Sequence, residues 1–423
     1  MKKYFMSVAA LAGMMSLAAC SSDDIVSPAD NDVQTIKIAV ASTGDKSTRS
    51  RDLNSEEPNQ NIENVAVVIR NKATNAVVYH KIITDWNTDK VSSIYTDNGH
   101  GRECTLKLEG AERLNAGEYT ITAVGYTAAD FKNNTIESAT TGVVAGNFTA
   151  EVADGKAAQE AFAGESSINL LEDHAAINTS VTLHRQVAGY YGYFTSIPVE
   201  VNSKKVTDVR LVARSKNMKL TYGNFNSSFT TTNSDIMYVV NGSEPATTKD
   251  AKFNGSTTAN DAYTLYNIKV TDWFTQGDTN NDGILDEKDN GWTNALATKG
   301  YLTYQEGTIF AGGFAVPFAA VDAATLELQL LDASGEILKS WTVAMATVQP
   351  TGKGVDGVDL TVPETAQNFS FFRNHMYTLG KKMDNTTTPG TTPDQPEPLD
   401  KSQSMILRVN DNWEVINRMT IGD

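Results

Sequence analysis

Apolar and polar residues alternate along most of this chain, and the alternation has the period of two that a half-buried strand imposes. Residues 62–70, 77–83, 104–108 and 117–124 read as a first group of strands. Residues 181–194 and 206–213 extend that group, which is expected to close near Tyr222. A second group follows at 236–240, 263–270, 308–316, 325–331, 337–343 and 371–379. In 325–331 the pattern sets Leu326, Leu328 and Leu330 on one face and Glu327 and Gln329 on the other. Gly312 and Gly313 mark a bulge or a close backbone approach. Clusters of Gly, Asn, Asp and Thr separate the runs, and no long helical period appears after residue 20. With no crossover helices in view, the sheets are expected to be antiparallel. The fold class is therefore all-β, as two tandem antiparallel β-sandwiches over 52–222 and 223–383.

Two amphipathic strands lie outside those sandwiches. Ile36, Ile38 and Val40 share one face near the start. Near the end, Met405, Leu407, Val409, Trp413, Val415, Met419 and Ile421 share another, while the opposite face is mostly polar. Burying such a strip contributes on the order of 10 kcal/mol, so it must find a partner surface. Two seats are open to it: a hairpin at home, turning at Asn410, Asp411 and Asn412, or a groove beyond its own domain. The Pro/Thr-rich linker at 384–401 is expected to be extended, which gives the strand at 402–423 reach.

The N-terminus adds an export signal. Lys2 and Lys3 precede an apolar stretch at 4–17 that is too short to span a bilayer. Leu17-Ala18-Ala19-Cys20 then resembles a bacterial lipobox, so Cys20 is the expected lipidation site, carrying diacylglycerol and further acyl chains. Each buried CH₂ adds about 0.8 kcal/mol of membrane affinity. The run from Ser21 to Asp24 resembles a surface-export tag of Bacteroidales lipoproteins, or is a plain solvated tether. Residues 21–51 then form a propeptide containing the first amphipathic strand. Its basic loop, Ser47-Thr48-Arg49-Ser50-Arg51-Asp52, offers Arg49 and Arg51 to a trypsin-like protease.

Composition narrows the function classes. The chain has 423 residues, enough for two cores, and a formal charge of −16 that disfavours nucleic acid as a partner. With Cys20 lipidated, Cys104 has no intrachain partner and reads as a small buried hydrophobe. No HExxH, CxxC pair, Walker loop or GxSxG elbow is present, and His80, His100, His174, His184 and His375 are scattered. No enzymatic role is expected. One spacing does carry chemistry. Asp278, Asn280, Asp282, Ile284 through its carbonyl, Asp286 and Asp289 occupy positions 1, 3, 5, 7, 9 and 12 of an EF-hand-type calcium loop, with Gly283 at the sharp turn. It resembles the dockerin variant, and it reads as a rigidifying Ca²⁺ site or as an acidic turn without an ion.

The order of these parts has a mechanical reading. The first strand fills a groove, cleavage at Arg49 or Arg51 releases it with the lipid, and the C-terminal strand of a neighbouring copy enters by β-strand addition. Such a head-to-tail contact propagates as a filament. The layout resembles the type V pilins of Bacteroidales, the fimbrillin family, and within it the FimA-like and Mfa-like stalk subunits. The resemblance rests on the lipobox, on Arg49 and Arg51, and on Leu114-Asn115-Ala116-Gly117-Glu118-Tyr119. It also rests on Val181-Thr182-Leu183-His184-Arg185-Gln186-Val187-Ala188, on Arg373-Asn374-His375-Met376-Tyr377, and on the C-terminal strand with Trp413. It implies transthyretin-like sandwiches, an Arg-specific protease, donor-strand polymerisation, and anchor and tip subunits as further partners. The implied location is the outer membrane as a lipoprotein precursor, then the extracellular fimbria. Two other readings compete. One is a surface glycan-binding lipoprotein using Tyr190, Tyr191, Tyr193 and Phe194 as a sugar platform. The other is a lipid-anchored accessory subunit left uncut.

Overall fold

The computed structural model describes residues 34–40, 62–94, 102–223, 246–296, 304–319, 326–345, 370–371, 373, 376–380, 395–401 and 405–410. Cys20, Arg49, Arg51, Trp413, Val415, Met419 and Ile421, together with the strand expected at 236–240, lie outside the described residues.

The chain is nearly all β. A first, eight-stranded sheet contains β1 (Gln34–Val40), β2 (Asn64–Asn71), β3 (Val77–Ile83), β4 (Ser93–Ile94), β5 (Arg102–Leu108), β6 (Gly117–Tyr126), β9 (Phe162–Leu170) and β10 (Ile177–Arg185). Its order is β3-β2-β6-β9-β10-β1-β5-β4. Only His184 and Arg185 of β10 pair with β9, and the rest of β10 pairs with β1. The sheet folds over at this corner. A Cβ on Gly164 would lie 1.9 Å from the Thr182 carbonyl oxygen, so only glycine permits the crossing. Folding over brings Ile36, Ile38 and Val40 into one core with Val65, Val67, Ile69 and Ile121.

The opposite face of β2 is buried as well. Ala66 and Val68 join Phe148 and, from a small layer of β7 (Phe131–Lys132), β8 (Thr149–Val152) and β16 (Lys219–Thr221), Phe131, Ala150, Val152 and Leu220. That core continues through Val187 and Ala188 into the second sheet.

The second sheet contains β11 (Ala188–Thr195), β15 (Asp208–Ala213), β17 (Tyr263–Lys269), β19 (Thr308–Ala315), β21 (Leu326–Leu331), β22 (Ile337–Met345), β24 (Met376–Leu379), β25 (Glu397–Pro398) and β26 (Met405–Asn410). Its order is β17-β15-β21-β22-β26-β24-β11-β19, with β25 also on β11. The sheet curls, because the Tyr190 hydroxyl of β11 donates to the Leu265 carbonyl of β17 at 3.0 Å. Short pairs complete the fold: β12 (Ile197–Pro198) with β18 (Ile284–Leu285), β13 (Glu200–Val201) with β14 (Lys204–Lys205), and β20 (Phe318–Ala319) with β23 (Ser370–Phe371).

Several expectations are corrected or refined here. The sheets are mixed, since β1 runs parallel to β10, β24 and β25 to β11, and β26 to β22. No crossover helix is needed because these neighbours are far apart in sequence and meet through tertiary packing. The run 181–194 is two strands, β10 in the first sheet and β11 in the second, and the chain passes from one to the other at Gln186 and Val187. Glu327 and Gln329 are buried under the segment around Lys252 and Asn254. There the Gln329 amide donates to the Lys252 carbonyl at 2.7 Å, and Glu327 accepts from the Asn254 N–H at 2.9 Å. Finally, the end of the 384–401 linker is held: β25 pairs with β11, and Leu399 is fully buried. Gly312 and Gly313 form no bulge. The β11–β19 register runs through them unbroken, and a Cβ on Gly313 would lie 2.9 Å from the Tyr190 hydroxyl.

Candidate functional site

The first amphipathic strand sits inside the first sheet. β1 runs parallel to β10 from Gln34 opposite Ile177 to Val40 opposite Leu183. It runs antiparallel to β5 from Gln34 opposite Leu108 to Ala39 opposite Glu103. Its burial alternates as its sequence does, with Ile36, Ile38 and Val40 each 0% exposed. Fully burying three such side chains contributes about 5–9 kcal/mol before the entropy of ordering the strand is counted. Without β1, both β5 and β10 would present unpaired backbone groups to a gap above an open core.

The polar residue at the head of β1 was not singled out by the sequence pattern. Gln34 is fully buried, and its amide is satisfied in both directions. Its Nε2 donates to the carbonyls of Leu114 at 3.1 Å and Ala175 at 2.8 Å, and its Oε1 accepts the Leu114 N–H at 2.7 Å. The Leu114-Asn115-Ala116-Gly117 turn thus supplies an amide socket. Tyr119 braces that turn by donating from its hydroxyl to the Asn115 carbonyl at 3.1 Å. Thr35 Oγ1 donates to the Ile177 carbonyl at 3.1 Å. On the outer face Lys37 pairs with Glu103 at 2.7 Å. Cys104 stands opposite Ile38, and burial pushes its thiol up to about 11. It is a free thiol, as the sequence implied.

The C-terminal strand has a seat of the same kind in the second sheet. β26 runs parallel to β22 (Met405 opposite Val343, Leu407 opposite Met345) and antiparallel to β24 (Arg408 opposite Thr378, Asn410 opposite Met376). Each half of β26 holds a different neighbour, so its home ladder is shorter than that of β1. Among the described residues it lies in the sheet interior, between two strands of its own chain.

The two remaining motifs meet at the passage between the sheets. Arg185 and Glu160 form an ion pair at 2.8 Å with side chains 0% and 2% exposed. The Arg185 guanidinium lies 4.9 Å from the Phe162 ring. Beside it, Gln186 Oε1 accepts from Arg373 Nη1 at 3.0 Å and from the Gly223 N–H at 3.2 Å. Arg373 just precedes β24, so this clasp ties the neighbour of β26 to the strand that leaves the β1 groove.

The Asp278–Asp289 loop has the expected backbone. Gly283 and Asn281 are left-handed at φ 87° and 62°. Asp278 accepts the N–H groups of Asn281 at 2.7 Å and Gly283 at 2.9 Å. Asp289 accepts those of Thr279 at 2.8 Å and Asp286 at 3.1 Å. Lys288 pairs with Asp286 at 2.9 Å, which together with backbone N–H donation holds that carboxyl below its ordinary range despite desolvation. Among the described residues, no three His, Cys, Asp or Glu side chains converge on a point that could hold a metal. The loop braces its neighbour through β18, which pairs with β12 and buries Leu285.

The sugar-platform reading fails on burial. Tyr190, Tyr191, Tyr193 and Phe194 are all below 5% exposure, and Tyr190 stacks on Tyr266 with centroids 6.3 Å apart. Gly192 interrupts the aromatics because a Cβ there would meet the Tyr266 hydroxyl at 2.2 Å.

No family model matches the chain, and no curated protein matches it. Solved structures resemble it distantly. A candidate cell-adhesion protein from Parabacteroides distasonis is 12% identical, with 89% of this chain and 95% of that one covered and a TM-score of 0.40. A fimbrial assembly protein from the same organism is 14% identical, with 83% and 92% covered and a TM-score of 0.36. The fimbrial anchor protein Mfa2 from Porphyromonas gingivalis is 11% identical, with 82% and 90% covered and a TM-score of 0.36. Likeness this slight transfers no function, so the chain's own geometry has to supply the functional reading.

Proposed function

We propose that this chain is a structural subunit of a cell-surface fimbria. It is exported as a lipoprotein precursor through Cys20, cut at Arg49 or Arg51 by an Arg-specific protease, and polymerised by strand exchange in support of adhesion. The observation that carries the proposal is the seat of β1. A strand that precedes both arginines fills the interior of a sheet, so one cut in the intervening chain frees it to leave. The resulting gap is flanked by β5 and β10 and calls for a replacement with one apolar face and the same parallel and antiparallel neighbours. The C-terminal strand carries that face, and at home β26 already lies between one parallel and one antiparallel neighbour. Other copies of the chain are then its main partners, with anchor and tip subunits at the fibre ends. The role requires no catalysis.

Removing residues 402–423 tests this reading in the native host. The full-length protein should give an SDS-resistant ladder of multimers on the cell surface, and the deletion should be exported as monomer only. An equal ladder from both proteins, or none from either, refutes it. The home seat of β26 favours one second reading, an accessory subunit that stays lipid-anchored and keeps both strands. Surface material whose N-terminus still begins at the lipidated cysteine would establish that reading instead. Calcium in the Asp278–Asp289 loop is part of the proposal as a rigidifying ion, and it rests on the spacing and the turn at Gly283.

A further inference from the structure

We infer that the strand entering the groove of a neighbouring copy is residues 403–409, with Gln403 filling the socket that Gln34 occupies in the precursor. The inference rests on the strand-exchange reading and fixes its register. The groove is selective at five positions of β1. It takes an amide at 34, a hydroxyl at 35, and aliphatic side chains at 36, 38 and 40, the last three fully buried. The precursor supplies Gln34-Thr35-Ile36-Lys37-Ile38-Ala39-Val40. The C-terminal segment supplies Gln403-Ser404-Met405-Ile406-Leu407-Arg408-Val409, which repeats all five demands in order.

No other window in 402–423 does so. Gln403 is the only glutamine there. Starting the strand at Asn410 or Asn412 would put Glu414 in a fully buried aliphatic position, where an unpaired carboxylate is not tolerated. Starting at Asn417 gives Met419 and Ile421 but ends on Asp423 in the place of Val40, and its amide is one methylene too short for the socket.

Charge agrees with the same register. Lys37 neutralises Glu103 in the precursor. After exchange Ile406 takes the Lys37 position, and Arg408 takes that of Ala39, directly opposite Glu103. The acid therefore exchanges one cation for another. Leu399 is fully buried, and Gln403 follows four residues later, a reach of about 14 Å when extended.

Cys104 reads out the register directly. It stands opposite Ile38, hence opposite Leu407 of the incoming strand. Opposed residues in an antiparallel pair have Cα atoms about 4.5–5.5 Å apart, within disulfide range, whereas positions two residues away are not. Full-length Leu407→Cys, Met405→Cys and Ile421→Cys variants would be displayed on cells, oxidised, boiled in SDS and run without reductant. A reducible ladder from Leu407→Cys alone is expected. Multimers that cross-link through Met405→Cys or Ile421→Cys, or through none of the three, overturn the register and leave strand exchange standing. Absence of any SDS-resistant multimer from the unmodified chain removes strand exchange itself. As a second readout, Glu103→Arg and Arg408→Glu should each shorten the life of multimers on warming, and the two together should restore it. Gln403→Leu strands the Leu114 and Ala175 groups and should speed dissociation by about tenfold or more. A wild-type rate in Gln403→Leu, or no rescue in the charge-reversed pair, counts against the socket.

Discussion

Replacing Glu160 with alanine should be among the most damaging single changes in the molecule. The Glu160 side chain is 2% exposed and its Oε1 accepts from Arg185 Nε at 3.1 Å and Nη2 at 2.8 Å. Removing it leaves a guanidinium that is 0% exposed, and stripping one partner from a buried pair costs about 3–5 kcal/mol. The Phe162 ring stays under the guanidinium at 4.9 Å and holds the cost toward the lower bound. A domain of this size loses about 2–4 °C of melting temperature per kcal/mol, so the first thermal transition of Glu160→Ala should fall by about 6–12 °C. Glu160→Met combined with Arg185→Met removes both charges and keeps volume, so it should recover most of that loss. Circular dichroism melts of the three proteins decide the matter. A fall of less than about 2 °C for Glu160→Ala, or a double variant as unstable as the single, would refute the view that an uncompensated charge sets the cost.

Three more expectations concern the sheet corner, the half-buried thiol of Cys104 and the acidic loop. Gly164→Ala forces a Cβ to 1.9 Å from the Thr182 carbonyl, and should abolish soluble expression while Gly155→Ala, in open space, should lose only a little stability to its φ of 70°. Because burial raises the Cys104 thiol from 9.0 to about 11, the folded state holds its proton longer than the unfolded state. Stability from this group is thus complete below pH 9 and declines as pH rises toward 11, and Cys104→Ser should remove that part of the alkaline slope in urea titrations. If the acidic loop binds calcium with a Kd of about 10⁻⁴ M, 10 mM calcium stabilises the fold by about 2.7 kcal/mol. Melting curves that superpose in 10 mM calcium and in chelator would dismiss the ion.

Much of the fold was legible in local pattern. The strand expected at 77–83 is observed with those bounds, and those at 62–70 and 117–124 differ only at their ends. β9 was missed because Gly164, Glu165, Ser166 and Ser167 look like a loop. They are a strand because Gly164 must pass against β10 and Glu165 accepts from Arg70 and Thr122. Glu327 and Gln329 do lie opposite the three leucines, but the burial of their face was not legible, because alternation cannot reveal a long insertion that covers the polar side. The apolar residues of the groove were readable as Ile36, Ile38 and Val40. Its selectivity was not, since the partners of Gln34 come from turns at Leu114 and Ala175 that are distant in sequence. Parallel pairing was equally invisible, because it arises from chain ends that return to the middle of sheets.

The passage at Arg185, Gln186 and Val187 has a consequence for how a fibre carries load. β10 lines the groove, runs through this passage into β11, and β11 holds β25 and Leu399, from which the chain's own C-terminal strand departs. Tension on such a fibre would enter each subunit through the strand in its groove, run along the continuous chain of β10 and β11, and cross the β11–β25 pairing to leave at Leu399. In the proposed fibre the inserted strand would take the place of β1, parallel to β10, and the two would be pulled from opposite ends. Their evenly spaced hydrogen bonds are then sheared together and do not unzip singly. The buried ion pair and the Arg373–Gln186 clasp sit at the passage from β10 to β11, where that load would cross between the sheets.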